Sequence, residues 1–116
     1  MTYLLLAFSG ETPPEAQSAS EGEAFLRACL AHAAALRESG YLLAAARLPD
    51  SPATRVQVQA GEWTLSEAPP GDDRDHLTAL FLVSARDLNE AIRLAAQLPE
   101  AQQYAIEVRT VLQHTL

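Results

Sequence analysis

Apolar and polar positions along the chain change period several times, and the changes mark its elements. Thr2-Tyr3-Leu4-Leu5-Leu6-Ala7-Phe8 is a continuous apolar run of strand length, the pattern of a central strand covered on both faces. Ser9-Gly10 ends it. Glu11 to Glu21, with Pro13, Pro14 and several serines, reads as a surface loop. The period then becomes helical: Ser20 and Glu23 offer a capping box, and Phe25, Leu26, Cys29, Leu30, Ala33 and Leu36 share one arc of a helix running to about Ser39. Gly40 suits the position just past its end.

A second strand, Tyr41 to Leu48, follows and is closed by Pro49-Asp50-Ser51-Pro52. Arg55 to Gln59 alternates, Ala60-Gly61 can turn, and Glu62 to Leu65 alternates back, which predicts a short hairpin. Ser66 to His76 carries two prolines, a glycine and three aspartates and reads as a loop. The last third is a strand-helix-strand unit. It opens with Ala79-Leu80-Phe81-Leu82-Val83 and closes with the alternating stretch Tyr104 to Val111. Between them Asp87 caps a helix, Glu90 reaches back, and Leu88, Ala91, Ile92, Ala95 and Leu98 fall along one side until Pro99 stops it.

Two strand-helix-strand halves on one sheet predict a ferredoxin-like α+β sandwich: one domain over 1–116, with an antiparallel sheet carrying both helices on one face. On the final strand Ile106, Val108 and Thr110 share one side, and Ala105, Glu107, Arg109 and Val111 the other. If the first set meets the helices, the second lies on a face of mixed polarity. Such a face suits the inside of a homodimer.

Composition narrows the function classes. A formal charge of −7 and the absence of any Lys/Arg cluster speak against nucleic acid or an anionic membrane as partner. All eight basic residues are Arg, so no Schiff-base or phosphate-loop lysine exists. No apolar run approaches the roughly 20 residues needed to span a bilayer, and the start of the chain reads as a strand rather than a signal peptide. The expected location is cytoplasmic. Cys29 is the single cysteine, so it forms no internal disulfide and no multi-cysteine metal site; a buried small hydrophobe is its ordinary role.

Candidate chemistry is sparse. His32, about one turn after Cys29, is either a general base over a pocket or a boundary histidine reaching water. His76 stands beside Asp72, Asp73 and Asp75, which could orient it as a base or hold a metal, but the spacing matches no calcium loop, and no metal or cofactor is expected. Arg47, Glu107 and Arg109 form the better set if neighbouring strands bring them to one side of the sheet. There an Arg fork suits a carboxylate, either a ligand acid or a protein Glu bridging strands or subunits.

The order of elements, the opening Tyr3-Leu4-Leu5-Leu6-Ala7-Phe8, the helix-Gly40-strand junction, Asp87-Leu88-Asn89-Glu90-Ala91 and above all Ile106-Glu107-Val108-Arg109 resemble the YCII-related proteins, specifically the DGPF-domain branch. The likeness covers almost the whole chain and implies a ferredoxin-like domain that pairs into a dimeric α+β barrel. Where the branch carries Asp-Gly-Pro-Phe, this chain has Glu67-Ala68-Pro69-Pro70, which loses the glycine's freedom and the aromatic ring. The wider group has a proposed His and Asp pair for catalysis; His32 and Asp50 are the nearest equivalents and do not align with it.

Two functions of different class are compatible with these features. One is a non-catalytic homodimeric module binding a small molecule or a protein through Arg47, Glu107 and Arg109. The other is a cofactor-free barrel enzyme acting on a small acidic or aromatic compound with His32 or His76 as general base. They differ in whether a histidine shares a cavity with the arginines.

Overall fold

The computed structural model describes residues 1–9, 18–49, 53–68 and 76–113. Its elements in chain order are β1 (Thr2–Ser9), α1 (Ala19–Glu38), β2 (Leu42–Arg47), β3 (Ala53–Gln59), β4 (Glu62–Ala68), β5 (His76–Ser84), α2 (Leu88–Gln97), a 3-10 turn (Pro99–Gln102) and β6 (Ala105–Thr110). Strands β2, β5, β1 and β6 form one antiparallel sheet in that order, and β3 and β4 form a separate ribbon. The four-stranded order and the two helices are those of the ferredoxin-like α+β fold.

The helix-bearing face holds the core. Tyr3, Leu5 and Ala7 of β1 lie opposite Val83, Phe81 and Ala79 of β5, all buried, and Ile106 and Val108 of β6 pack against them. Alternation places Leu4, Leu6 and Phe8 of β1 with Leu80 and Leu82 of β5 on the other face, each half-buried. A continuous apolar β1 is the pattern of a strand with two covered faces; among the described residues the helices cover one of them.

Helix α1 starts earlier than expected, inside the anticipated loop. Ser18, not Ser20, is the cap, and its hydroxyl accepts the Glu21 amide N–H at 3.2 Å. Its far end matches the glycine signal: Gly40 sits at φ 84°, and the Tyr41 and Gly40 amides donate to the Leu36 and Arg37 carbonyls, closing a Schellman motif. The contact stripe is narrower than the predicted arc. Cys29 and Leu36 are buried and Phe25 and Ala33 half-buried, whereas Leu26 and Leu30, one position round the helix, face out. Phe25 meets Tyr104 edge to face, with ring centroids 6.4 Å apart.

Helix α2 is capped as expected, since Asp87 Oδ1 accepts the Glu90 amide at 2.9 Å. The Glu90 carboxylate reaches one residue beyond the cap, to the amide and Nε of Arg86, both at 2.9 Å. Its buried stripe is Ala91, Leu94, Ala95 and Leu98; Leu88 and Ile92 are exposed, contrary to the predicted arc. Replacing Asp87 by Ala removes the acceptor for one orphan donor and is expected to cost about 1 kcal/mol. A urea midpoint that does not move would show the cap to be idle.

The hairpin is longer than predicted, running through Ser66 to Ala68, and its turn places Ala60 at φ 52° and Gly61 at φ 81°, the two positive values a type I′ turn requires. At the other end of the expected 66–76 loop, His76 already belongs to β5. Residues 69–75, with the aspartates and prolines of that loop, lie outside the described residues, as do Asp50 and most of the expected loop before α1.

Candidate functional site

A register shift in β2 decides which charges meet. Leu42 pairs with Val83 on the helix face, but the next registered pairs are Ala44 with Leu82, Ala45 with Phe81 and Arg47 with Ala79, so Leu43 is an extra residue. This bulge reverses the alternation and turns Arg47 toward the helices. Glu107 and Arg109 sit opposite Leu6 and Leu4 on the other face, on β6 at the far edge of the sheet. The expectation that Arg47 shares a side with them is thus corrected: they are separated by the whole sheet, and neither Glu107 nor Arg109 makes an ion pair among the described residues.

Arg47 instead meets a residue the sequence reading did not single out. Leu98 is buried and ends α2, Pro99 opens the 3-10 turn, and the turn delivers Glu100 into the interior, only 2% exposed. Arg47 Nη1 donates to Glu100 Oε2 at 3.2 Å. A carboxylate so far out of water requires such a partner. Oε1 of the same carboxylate is equally buried and accepts no hydrogen bond.

These groups border a cavity of about 210 Å³ between α1, β2 and the 3-10 turn, lined by Cys29, Leu30, Arg37, Arg47, Phe81 and Glu100 among others. Its walls combine apolar side chains with two guanidinium groups and one carboxylate. Chemically this suits a small organic acid: oxygen atoms for the arginines, a donor for the carboxylate and an apolar body for the rest. A second hollow of about 360 Å³ near Met1, Gly40, Tyr41 and Ser84 is shallower, and its Arg86 is already held by Glu90.

Cys29 is buried and its thiol pKa is raised, chiefly by burial and then by the Glu100 charge, with Arg47 acting in the opposite direction. The thiol therefore stays protonated at neutral pH and is no nucleophile. Because the folded value is raised, the stability linked to this proton is fully present below the unfolded thiol's pKa. It is lost as pH rises from there through the folded value. Alkylation by iodoacetamide at pH 8 is expected to be much slower in native than in urea-unfolded protein, and equal rates would contradict the buried placement.

Neither histidine lines the cavity that holds Arg47. His32 lies half-buried on α1 with a buried Nε2 that makes no hydrogen bond. His76 lies at the start of β5, where its carbonyl accepts from the Ser9 hydroxyl at 3.3 Å. Its acidic neighbours Asp72, Asp73 and Asp75 lie outside the described residues. Among the described residues no group of three His, Cys, Asp or Glu could hold a metal ion, and no helix is long and apolar enough to cross a membrane.

Comparison with known proteins agrees with the fold. One solved structure, the 5-chloro-2-hydroxyhydroquinone dehydrochlorinase TftG from Burkholderia phenoliruptrix AC1100 in complex with 2,5-dihydroxybenzoquinone, superposes with a TM-score of 0.54 at 14% identity, covering 98% of this chain and 96% of that one. At that identity the likeness concerns the fold. An uncharacterised protein of Rhizobium meliloti strain 1021 is 29% identical over 102 residues, which are 87% of this chain and 82% of the relative. The family model of the YCII-related domain matches residues 1–115, and the chain accordingly belongs to the YCII-related family.

Proposed function

We propose that this chain is a homodimeric small-molecule-binding protein whose site is the cavity beside Arg47 and Glu100. The observation that carries the reading is the carboxylate of Glu100, removed from water, paired with Arg47 through one oxygen and met at the other by no N–H or O–H donor, with only the weak S–H of Cys29 beside the group. An unmet acceptor of this kind costs about 1–3 kcal/mol, more when charged, and a ligand O–H or N–H would recover it. Arg47, two-fifths exposed, and Arg37 supply donors for an acidic group, and Leu30 and Phe81 supply apolar contact. The ligand class is a small aromatic or quinoid acid, the chemical kind that the TftG complex contains.

The same site offers one catalytic reading. The enzyme alternative with His32 or His76 as base gains no support from the cavity, but Glu100 Oε1 is a buried carboxylate oxygen beside a cation that meets no N–H or O–H donor, the arrangement of a proton acceptor. Conversion of a bound acid, rather than binding alone, would favour that version.

Pairing belongs to the proposal as well. The uncovered face with Leu4, Leu6, Phe8, Leu80 and Leu82 is the surface offered to a second subunit, and Glu107 and Arg109 at its β6 edge suit reciprocal ion pairs across a two-fold axis. The test of the site is a thermal-shift panel of benzoate, 4-hydroxybenzoate, mandelate and 2,5-dihydroxybenzoquinone. At least one acid is expected to raise the melting temperature in proportion to the logarithm of its concentration. No response from any member would remove the small-acid site.

A further inference from the structure

The β3–β4 ribbon separates its side chains by face along its outer part, with Thr54 and Glu67 paired at the base of the apolar side. Val56 lies opposite Leu65 and Val58 opposite Trp63, so these four share one face, while Arg55, Gln57, Gln59, Glu62, Thr64 and Ser66 occupy the other. Amphipathic strands of this pattern normally rest their apolar side on a core. Here all four apolar residues are 59–67% exposed. Among the described residues no other element packs substantially against the ribbon. The radius of gyration, 16.2 Å, exceeds the about 13 Å of a compact chain this long.

From this we infer that the ribbon is an arm that lays its Val56, Val58, Trp63 and Leu65 face on a second copy of this chain, reciprocally across the two-fold axis. The inference rests on the pairing put forward above and specifies which surface completes it. A two-stranded ribbon alone in water is marginally stable at best, so a covering surface is required for it to persist. Area favours another copy as that surface. A stable interface buries about 800 Å² on each partner. The open sheet face offers only part of its apolar area, because Leu4, Leu6, Leu80 and Leu82 are already half-buried. The arm adds on the order of 400 Å² of apolar side chain. In a closed two-fold pair both arms are covered at once, so no sticky surface remains.

Trp63 is the only tryptophan in the chain, so its fluorescence reports on the arm alone. The experiment follows Trp63 emission and acrylamide quenching over a dilution series, alongside sedimentation equilibrium on the same samples. The expected result is a blue-shifted, quencher-protected Trp63 in the dimer that becomes red-shifted and quenchable in step with dissociation. Val58→Asp, which keeps the probe and lies outside the core, should raise the dimer dissociation constant at least ten-fold with an unchanged far-ultraviolet circular dichroism spectrum. A dimer whose Trp63 is as quenchable as in the monomer overturns the arm while leaving the pairing intact. A monomer at every concentration overturns both. A Trp63 protected in the monomer overturns the inference by showing the arm folded onto its own subunit.

Discussion

Arg47→Ala is expected to abolish binding of small acids and to lower folding stability by about 2–4 kcal/mol, at and below the low end of the roughly 3–5 kcal/mol seen when one partner of a fully buried ion pair is deleted. The cost arises at Glu100. Glu100 is only 2% exposed, and Arg47 Nη1 at 3.2 Å is its one ion-pair partner among the described residues. Removing the guanidinium leaves a buried carboxylate with no cationic partner and only the weak S–H of Cys29 beside it. Arg47 itself is partly exposed, so water admitted by the truncation offsets some of the penalty. The double variant Arg47→Leu with Glu100→Leu separates the two roles: stability should return to near the wild-type value, because both charges are gone, while binding stays lost. Urea denaturation and calorimetric titration check the two halves. A single variant as stable as wild type, or a double variant that binds normally, would show that the pair neither carries a buried charge nor forms the site.

Leu82→Asp should convert the proposed homodimer to a monomer, raising the dissociation constant by about 1,000-fold or more. Leu82 occupies the middle of the uncovered face, flanked by Leu4 of β1 and Ala44 of β2. In an isolated subunit a carboxylate there keeps access to water, because the position is only half-buried. In the dimer two such carboxylates would be desolvated near the axis and repel one another, a cost of several kcal/mol. Leu26→Asp on the exposed side of α1 is the control and should leave sedimentation unchanged. If Leu82→Asp remains dimeric, the open face is not the pairing surface.

Much of the fold was legible from local signals that local physics enforces. Gly40 ends α1 because the junction needs positive φ, Asp87 starts α2 because its carboxylate meets an orphan amide, and Ala60-Gly61 turns the ribbon. The site was not legible in the same way. Leu42-Leu43-Ala44-Ala45-Ala46 has no polar alternation to set its register, so nothing in it announces the bulge at Leu43 that aims Arg47 at the helices. Glu100 reads as one more acid after a Leu-Pro helix stop; only the path of the 3-10 turn makes it a buried partner for Arg47. A need for a carboxylate partner near Arg47 was foreseeable, its source was not. The ribbon shows the converse, since its alternation predicts a half-buried hairpin while its apolar side is mostly exposed and no other described element packs substantially against it. Helical arcs erred by one position, bringing in Leu26, Leu30, Leu88 and Ile92, because the face that packs is chosen by the neighbouring strands and turn.

The most direct measurement is native mass spectrometry of the purified protein, as isolated and after incubation with benzoate, 4-hydroxybenzoate and mandelate, with Arg47→Ala alongside. The account predicts a dimer that carries one small-molecule adduct per subunit, absent from the Arg47→Ala dimer. A dimer that takes up no adduct under any of these conditions, or one whose adduct survives loss of Arg47, would contradict the assignment of the cavity as the functional site.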